Sequence, residues 1–189
     1  MSYLLAFKGL PGTGKTTLSR CLAQSLGWPL VDKDDIKDVI HAGCANSGPL
    51  SYTVTFQVAR RQLVCGLSVI CDSPLMYAES YANARRIASE ANARLLVIET
   101  VLSDGQLWRE RIEARKHDPR FLAGGHYVTD WAVFNAPSPA YGGRNIPAYP
   151  MTVPCLQVDT ALPLPAVLAT ITSWLAEHGV TAAPGAILQ

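Results

Sequence analysis

Eight residues near the start of the chain, Gly9 to Thr16 in the order GLPGTGKT, have the types and spacing needed to hold a row of phosphates. Glycines let the backbone wrap tightly enough for successive N–H groups to point at one centre. A helix beginning just after them adds its positive end. Within the pattern GxxxxGK[ST], Lys15 is placed to reach the β- and γ-phosphates, and Thr16 to offer its hydroxyl to Mg²⁺. Gly9, Pro11, Gly12, Thr13, Gly14, Lys15, Thr16 and Thr17 are therefore the candidate contacts to ATP, with GTP not separated by these residues. The bland alternative is a glycine-rich turn. The match falls after an apolar run and before a helical one, which is where phosphate binding requires it.

A second group is VDKDDIK, with Asp32, Asp34, Asp35 and Lys37. It follows a short apolar run, so its carboxylates fall at the C-terminal edge of a sheet, where open α/β sheets bind ligands. A carboxylate there can orient an acceptor hydroxyl and take its proton during phosphoryl transfer, whereas hydrolysis needs only a positioned water. Asp34 is preferred over Asp35 for that task, and Asp32 is a candidate for placing Mg²⁺. The competing reading makes Asp34 or Asp35 the N-cap of the next helix. Asp72 closes the run SVICD, and an acid at that position can bind Mg²⁺ directly or through water. Capping a turn ahead of Pro74 is its alternative. In LWRERIEARKHDPR, Arg111 and Arg115 lie four apart and share a helix face. A solvated helix with Arg109 and Glu113 paired is the plainer reading. The four histidines (41, 117, 126 and 178) show no metal-ligand spacing.

Alternating elements must position these groups. Apolar runs at 3–8, 29–32, 67–72, 94–101 and 153–159 read as strands. Helical patterns fill 15–26, 34–41, 50–65, 77–93, 104–116 and 165–178. Such alternation predicts an α/β fold with parallel strands covered on both faces. Residues 116–128 and 135–150 break the rhythm with Gly-Gly, Pro and Tyr, and loops of that length are often lids or binding loops. His126, Tyr127, Tyr141, Arg144 and Tyr149 lie in or beside them. A single domain over 1–179 is expected, followed by a frayed apolar tail at 180–189.

The chain has 189 residues, 49% of them hydrophobic and 16% charged, with a formal net charge of +1. That balance is far from the basic footprint of a protein gripping a long nucleic acid. The five cysteines show no paired spacing, which predicts reduced thiols in a reducing compartment, hence a cytoplasmic protein. No segment approaches the ~20 apolar residues that span a bilayer. The N-terminal apolar stretch reads as a first strand, not a targeting signal.

On GLPGTGKT, on DKDDIK as a D-x-x-R/K pattern, on Asp72 and on ERIEAR, the sequence resembles the small P-loop kinases over roughly residues 3–178. That group includes gluconate and shikimate kinases, polynucleotide 5′-hydroxyl kinases, chloramphenicol phosphotransferase and AAA-domain ATP-binding proteins. The resemblance implies a P-loop NTPase three-layer sandwich with strand order 2-3-1-4-5 and a lid. It implies that Asp34 acts on the acceptor hydroxyl, that Lys37 holds the acceptor, and that Arg111 and Arg115 (the latter preferred, with Lys116 and Arg120 as substitutes) neutralise the moving phosphoryl group. It also suggests that Asp159 to Pro163 lie beside adenine. Lys37 departs from the more usual arginine, which weakens bidentate phosphate recognition and so a nucleic-acid end. The resulting expectation is a phosphotransferase with ATP and Mg²⁺, acting on a hydroxyl of a small-molecule acceptor. A polynucleotide 5′-hydroxyl kinase is the first rival. A nucleotide-dependent ATPase or switch with a protein partner is the second.

Overall fold

A computed structural model describes residues 1–122, 127–136 and 149–180. Strands β1 (Tyr3–Lys8), β2 (Leu30–Asp32), β3 (Val69–Asp72), β4 (Arg94–Val101) and β5 (Cys155–Asp159) pair in parallel in the order β2-β3-β1-β4-β5. Both faces are covered, which is why β1 reads as the unbroken apolar run Leu4, Leu5, Ala6, Phe7, all fully buried.

The period of two sends alternate residues to opposite cores. Leu4, Ala6, Val69, Cys71 and Val97 meet α3 (Ser47–Val64) and α4 (Ala78–Glu90) through Phe56, Leu63, Ala84 and Ile87. Leu5, Phe7, Ile70, Leu96 and Ile98 meet α1 (Lys15–Leu26) and α8 (Leu164–Glu177) through Leu18, Leu22, Ile171 and Leu175. The result is the expected three-layer P-loop architecture. A third, smaller cluster joins Trp108 and Ile112 of α5 (Gly105–Ala114) to Leu102 and to Phe134. It lies beside the glycine loop, outside the main layers.

Helix α2 (Lys33–His41) follows β2 without a loop. Two further short helices follow, α6 (Pro119–Leu122) inside the 116–128 segment expected to form a lid and α7 (Trp131–Asn135) just after it, with a 3₁₀ turn at Arg115–His117 before them. Helix α3 starts at Ser47, three residues before the expected Leu50, so Pro49 stands in its first turn. Proline is tolerated there because those N–H groups have no helical partner. Val180, expected in the tail, is buried, and its N–H donates to the Leu175 carbonyl at 3.0 Å. The readings of His126, Tyr141, Arg144 and the remainder of 137–148, and of the tail from 181 on, concern residues outside those described.

The five cysteines are free thiols. Among the described residues no helix is long and apolar enough to cross a membrane.

Candidate active site

The loop GLPGTGKT leaves the C-terminal end of β1 and runs into α1, whose N-cap is Gly14. Gly9 has φ +150°; a Cβ there would overlap Thr100 Oγ1 and stand 2.6 Å from the Thr100 carbonyl oxygen. Gly12 has φ +83°, and a Cβ on it would stand 2.9 Å from Ile112 Cδ1 and 3.0 Å from Trp108 Nε1. Close approach of neighbouring elements, as well as wrapping, therefore dictates glycine here. The loop is also fastened. Trp108 Nε1 donates to the Pro11 carbonyl at 2.8 Å. The buried hydroxyls of Thr13 and Thr100 lie 2.7 Å apart. Lys15 Nζ donates back across the loop to the Leu10 carbonyl at 2.8 Å. Burial lowers the Lys15 pKa to about 8, with nearby Asp72 opposing the shift and Arg115 adding to it. Such a lysine gains most from an anion.

Register pairing sets Asp32 of β2 directly beside Asp72 of β3. Both side chains are buried, and neighbouring like charges destabilise a sheet. Burial and then the neighbouring Asp72 push Asp32 up to about 7. Burial also raises Asp72, while Lys15 and the hydroxyls of Thr16 and Ser19 pull against it. Ser19 Oγ donates to Asp72 Oδ2 at 3.0 Å. Two buried carboxylates with a threonine hydroxyl form a hard-oxygen donor set that suits Mg²⁺, an ion usually bound by one or two carboxylates plus substrate phosphates. No group of three or more His, Cys, Asp or Glu that could hold a metal ion occurs among the described residues.

Asp32 has a second task that the sequence reading gave to its neighbours. It is the N-cap of α2, its Oδ1 accepting from the Asp34 N–H at 2.9 Å. The capping alternative for Asp34 and Asp35 is thereby removed, and both line the cleft in the first turn of α2. Asp35 is exposed, whereas Asp34 is half-buried and interacts with Lys15 and Arg115. Lys33 Nζ lies 2.5 Å from Asp34 Oδ1. Lys37, one turn on, has its pKa lowered by burial first and by Lys33 second.

The two arginines expected to act together part company. Arg111 donates from Nη1 to Thr160 Oγ1 and from Nη2 to the Thr160 carbonyl, both at 2.9 Å, and Thr160 Oγ1 donates on to the Thr13 carbonyl at 3.0 Å. It thereby ties α5 to the segment after β5 and to the glycine loop. Arg115 instead donates to the Val128 carbonyl at 3.1 Å, and its guanidinium lies 4.9 Å from the Phe121 ring centre. Of the substitutes, Lys116 is paired with Glu113 and Asp130, and Arg120 with Asp118. Tyr127 donates to Asp38 Oδ2 of α2 at 3.0 Å, so the 116–128 segment touches the acidic helix. Tyr149 stacks on Tyr81 and donates to the Leu75 carbonyl, a packing role.

The glycine loop, Asp32, Asp34, Lys37, Asp72, Arg111 and Arg115 line one cleft of about 1620 Å³ over the C-terminal edge of the sheet. Pockets for a single small molecule run to roughly 300–1,000 Å³, so the space suits two substrates side by side. The cleft's lining also includes Thr17, Thr160, Leu162 and Leu164, together with Tyr52, Tyr77 and Tyr127. Thr160 falls within the Asp159 to Pro163 segment expected beside adenine, whereas Lys33, Ser19, Tyr52 and Trp108 are not singled out by the sequence. Of these four only Ser19, one turn after Thr16 on α1, has a local signal.

The model of the AAA domain family matches residues 4–126. No curated protein sequence matches the chain. Among solved structures, a candidate kinase from Chloroflexus aurantiacus J-10-fl is 28% identical with a TM-score of 0.70, the alignment covering 94% of this chain and 98% of that one. An APS kinase of Mycobacterium tuberculosis in complex with AMPPNP and APS is 17% identical with a TM-score of 0.63, covering 93% and 98%. A gluconokinase from Sinorhizobium meliloti 1021 is 14% identical with a TM-score of 0.61, covering 93% of each chain. At those identities the last two speak for the fold.

Proposed function

The chain belongs to the AAA domain family, and from that membership we propose that it is an ATP-dependent phosphotransferase moving the γ-phosphate to a hydroxyl of a small molecule. The observation that carries this reading is the placement of Asp34 and Lys15 in one cleft large enough for two substrates. A carboxylate set near the phosphate loop, on the helix after β2, is placed to meet an acceptor hydroxyl. The near-neutral net charge of +1 favours a small acceptor over a nucleic acid. Similarity to a candidate kinase at 28% identity over nearly the whole chain supports phosphoryl transfer.

ATP lies with its phosphates along Gly9 to Thr17 and its base toward Leu162. The acceptor lies against α2, with Lys37 at its side. Asp34 takes the hydroxyl proton as the acceptor oxygen bonds to the γ-phosphorus, and the bond from that phosphorus to the β–γ bridging oxygen breaks to release ADP. Lys15 and Arg115 carry the charge that spreads over the transferring oxygens. Thr16, Asp72 and Asp32 are the residues that would hold Mg²⁺, which would neutralise phosphate charge.

Asp34→Asn tests the assignment. The amide keeps the shape but cannot accept the proton, so turnover falls by about 10²-fold or more while ATP affinity, measured by calorimetry, is retained. Unchanged turnover would remove Asp34 from the chemistry.

A further inference from the structure

Lys33 stands between two aspartates in the sequence, and nothing in its position there marks it for a task. Its side chain is only 9% exposed, and lysine is almost never so buried unless paired. Two groups meet its ammonium, and a third contact holds one of them in place. Asp34 Oδ1 of α2 lies at 2.5 Å. The Tyr52 ring of α3 lies 5.4 Å from Nζ at its centre. The Tyr52 hydroxyl donates to the carbonyl of Pro74, after β3, at 3.1 Å.

Adjacent residues on a helix do not normally face each other. The Lys33 stem must fold back to meet its neighbour, and the aromatic wall from α3 keeps it there. Burying an ammonium costs several kcal/mol, and a buried ion pair seldom repays that as stability alone. A surface lysine with its head in water would be the cheaper arrangement if only the helix had to be held.

We propose that Lys33 is a positioning residue for the reaction: its ammonium, backed by Tyr52, fixes the Asp34 carboxylate in the orientation that meets the acceptor hydroxyl. This rests on the assignment of Asp34 as the base. Catalysis demands such fixing, since a misplacement of about 1 Å can cost about 10²-fold in rate. Lys33 acts through Asp34 and does not itself touch the moving phosphate.

Lys33→Met keeps the stem and removes the charge, and Lys33→Arg keeps the charge. Each is compared with the natural chain and with Asp34→Asn, using γ-labelled ATP·Mg²⁺ and glycerol as a surrogate acceptor. Crystal structures with AMPPNP provide a readout independent of activity. Lys33→Met is expected to lose between about 10- and 100-fold in kcat, to leave the KM for ATP and the melting temperature unchanged, and to show the Asp34 carboxylate turned from its place. Lys33→Arg is expected to restore most of kcat and the carboxylate position. An undisturbed Asp34 carboxylate in Lys33→Met would overturn the proposal. So would a loss confined to KM for ATP, or equal loss in the arginine variant. Full activity in Asp34→Asn would instead bring down the base assignment itself, an outcome distinct from failure of the Lys33 variants alone.

Discussion

Arg111 and Arg115 share a helical face by spacing, yet their guanidinium groups hold different partners. Arg111 is spent on Thr160, and through it on the glycine loop. Arg115 interacts with Asp34 and Lys15 across the cleft. Arg115→Ala is expected to lower kcat by about 10²- to 10³-fold, the cost of removing one positioned partner of transition-state charge. Arg111→Ala is expected to raise the KM for ATP while leaving kcat within a few-fold, and steady-state kinetics on both variants separates the two. The phosphate contacts were legible in the sequence because eight consecutive residues carry them. Lys33 was not, because its burial depends on Tyr52, a residue of another helix. Asp32 was read as a metal candidate and not as the cap. Its register beside Asp72 and its bond to the Asp34 N–H follow from β2 running straight into α2.

At the scale of elements, α5 is a brace. Its Trp108 holds the Pro11 carbonyl, and its Ile112 closes against Gly12. Trp108→Phe keeps an aromatic ring but leaves that half-buried carbonyl without its donor, a loss of about 0.5–1.5 kcal/mol. A lower denaturation midpoint and a weaker ATP affinity are expected together, checked by chemical unfolding and calorimetry. An unchanged ATP affinity in a destabilised variant would confine Trp108 to the core. Strands and long helices were readable because apolar period and glycine stops agree, as at Gly27, which ends α1. Helix α3 begins three residues before the expected Leu50, since its first turn accepts Pro49. The short α7 has only five residues and is held by tertiary contacts, among them Phe134 on Trp108 at 5.4 Å between ring centres.

At the scale of the molecule, strand order brings the site together. β1 lies centrally, with β3 on one side and β4 on the other, so the glycine loop, the acid pair and the segment after β5 all open on one edge. That order came from resemblance and not from periodicity, since alternation of strands and helices fixes the layers but not the sequence of strands across the sheet. The size of the cleft, which favours two substrates, was beyond reach of the sequence because it is set by distant elements. The most direct test of phosphoryl transfer offers γ-labelled ATP·Mg²⁺ with sugars, polyols, nucleosides, antibiotics and a 5′-hydroxyl oligonucleotide, with Asp34→Asn alongside. Label appearing on a small alcohol, and lost in the variant, is the predicted result. Label released only as free phosphate, at the same rate from both proteins, would contradict it, and label on the oligonucleotide would move the acceptor to a nucleic-acid end.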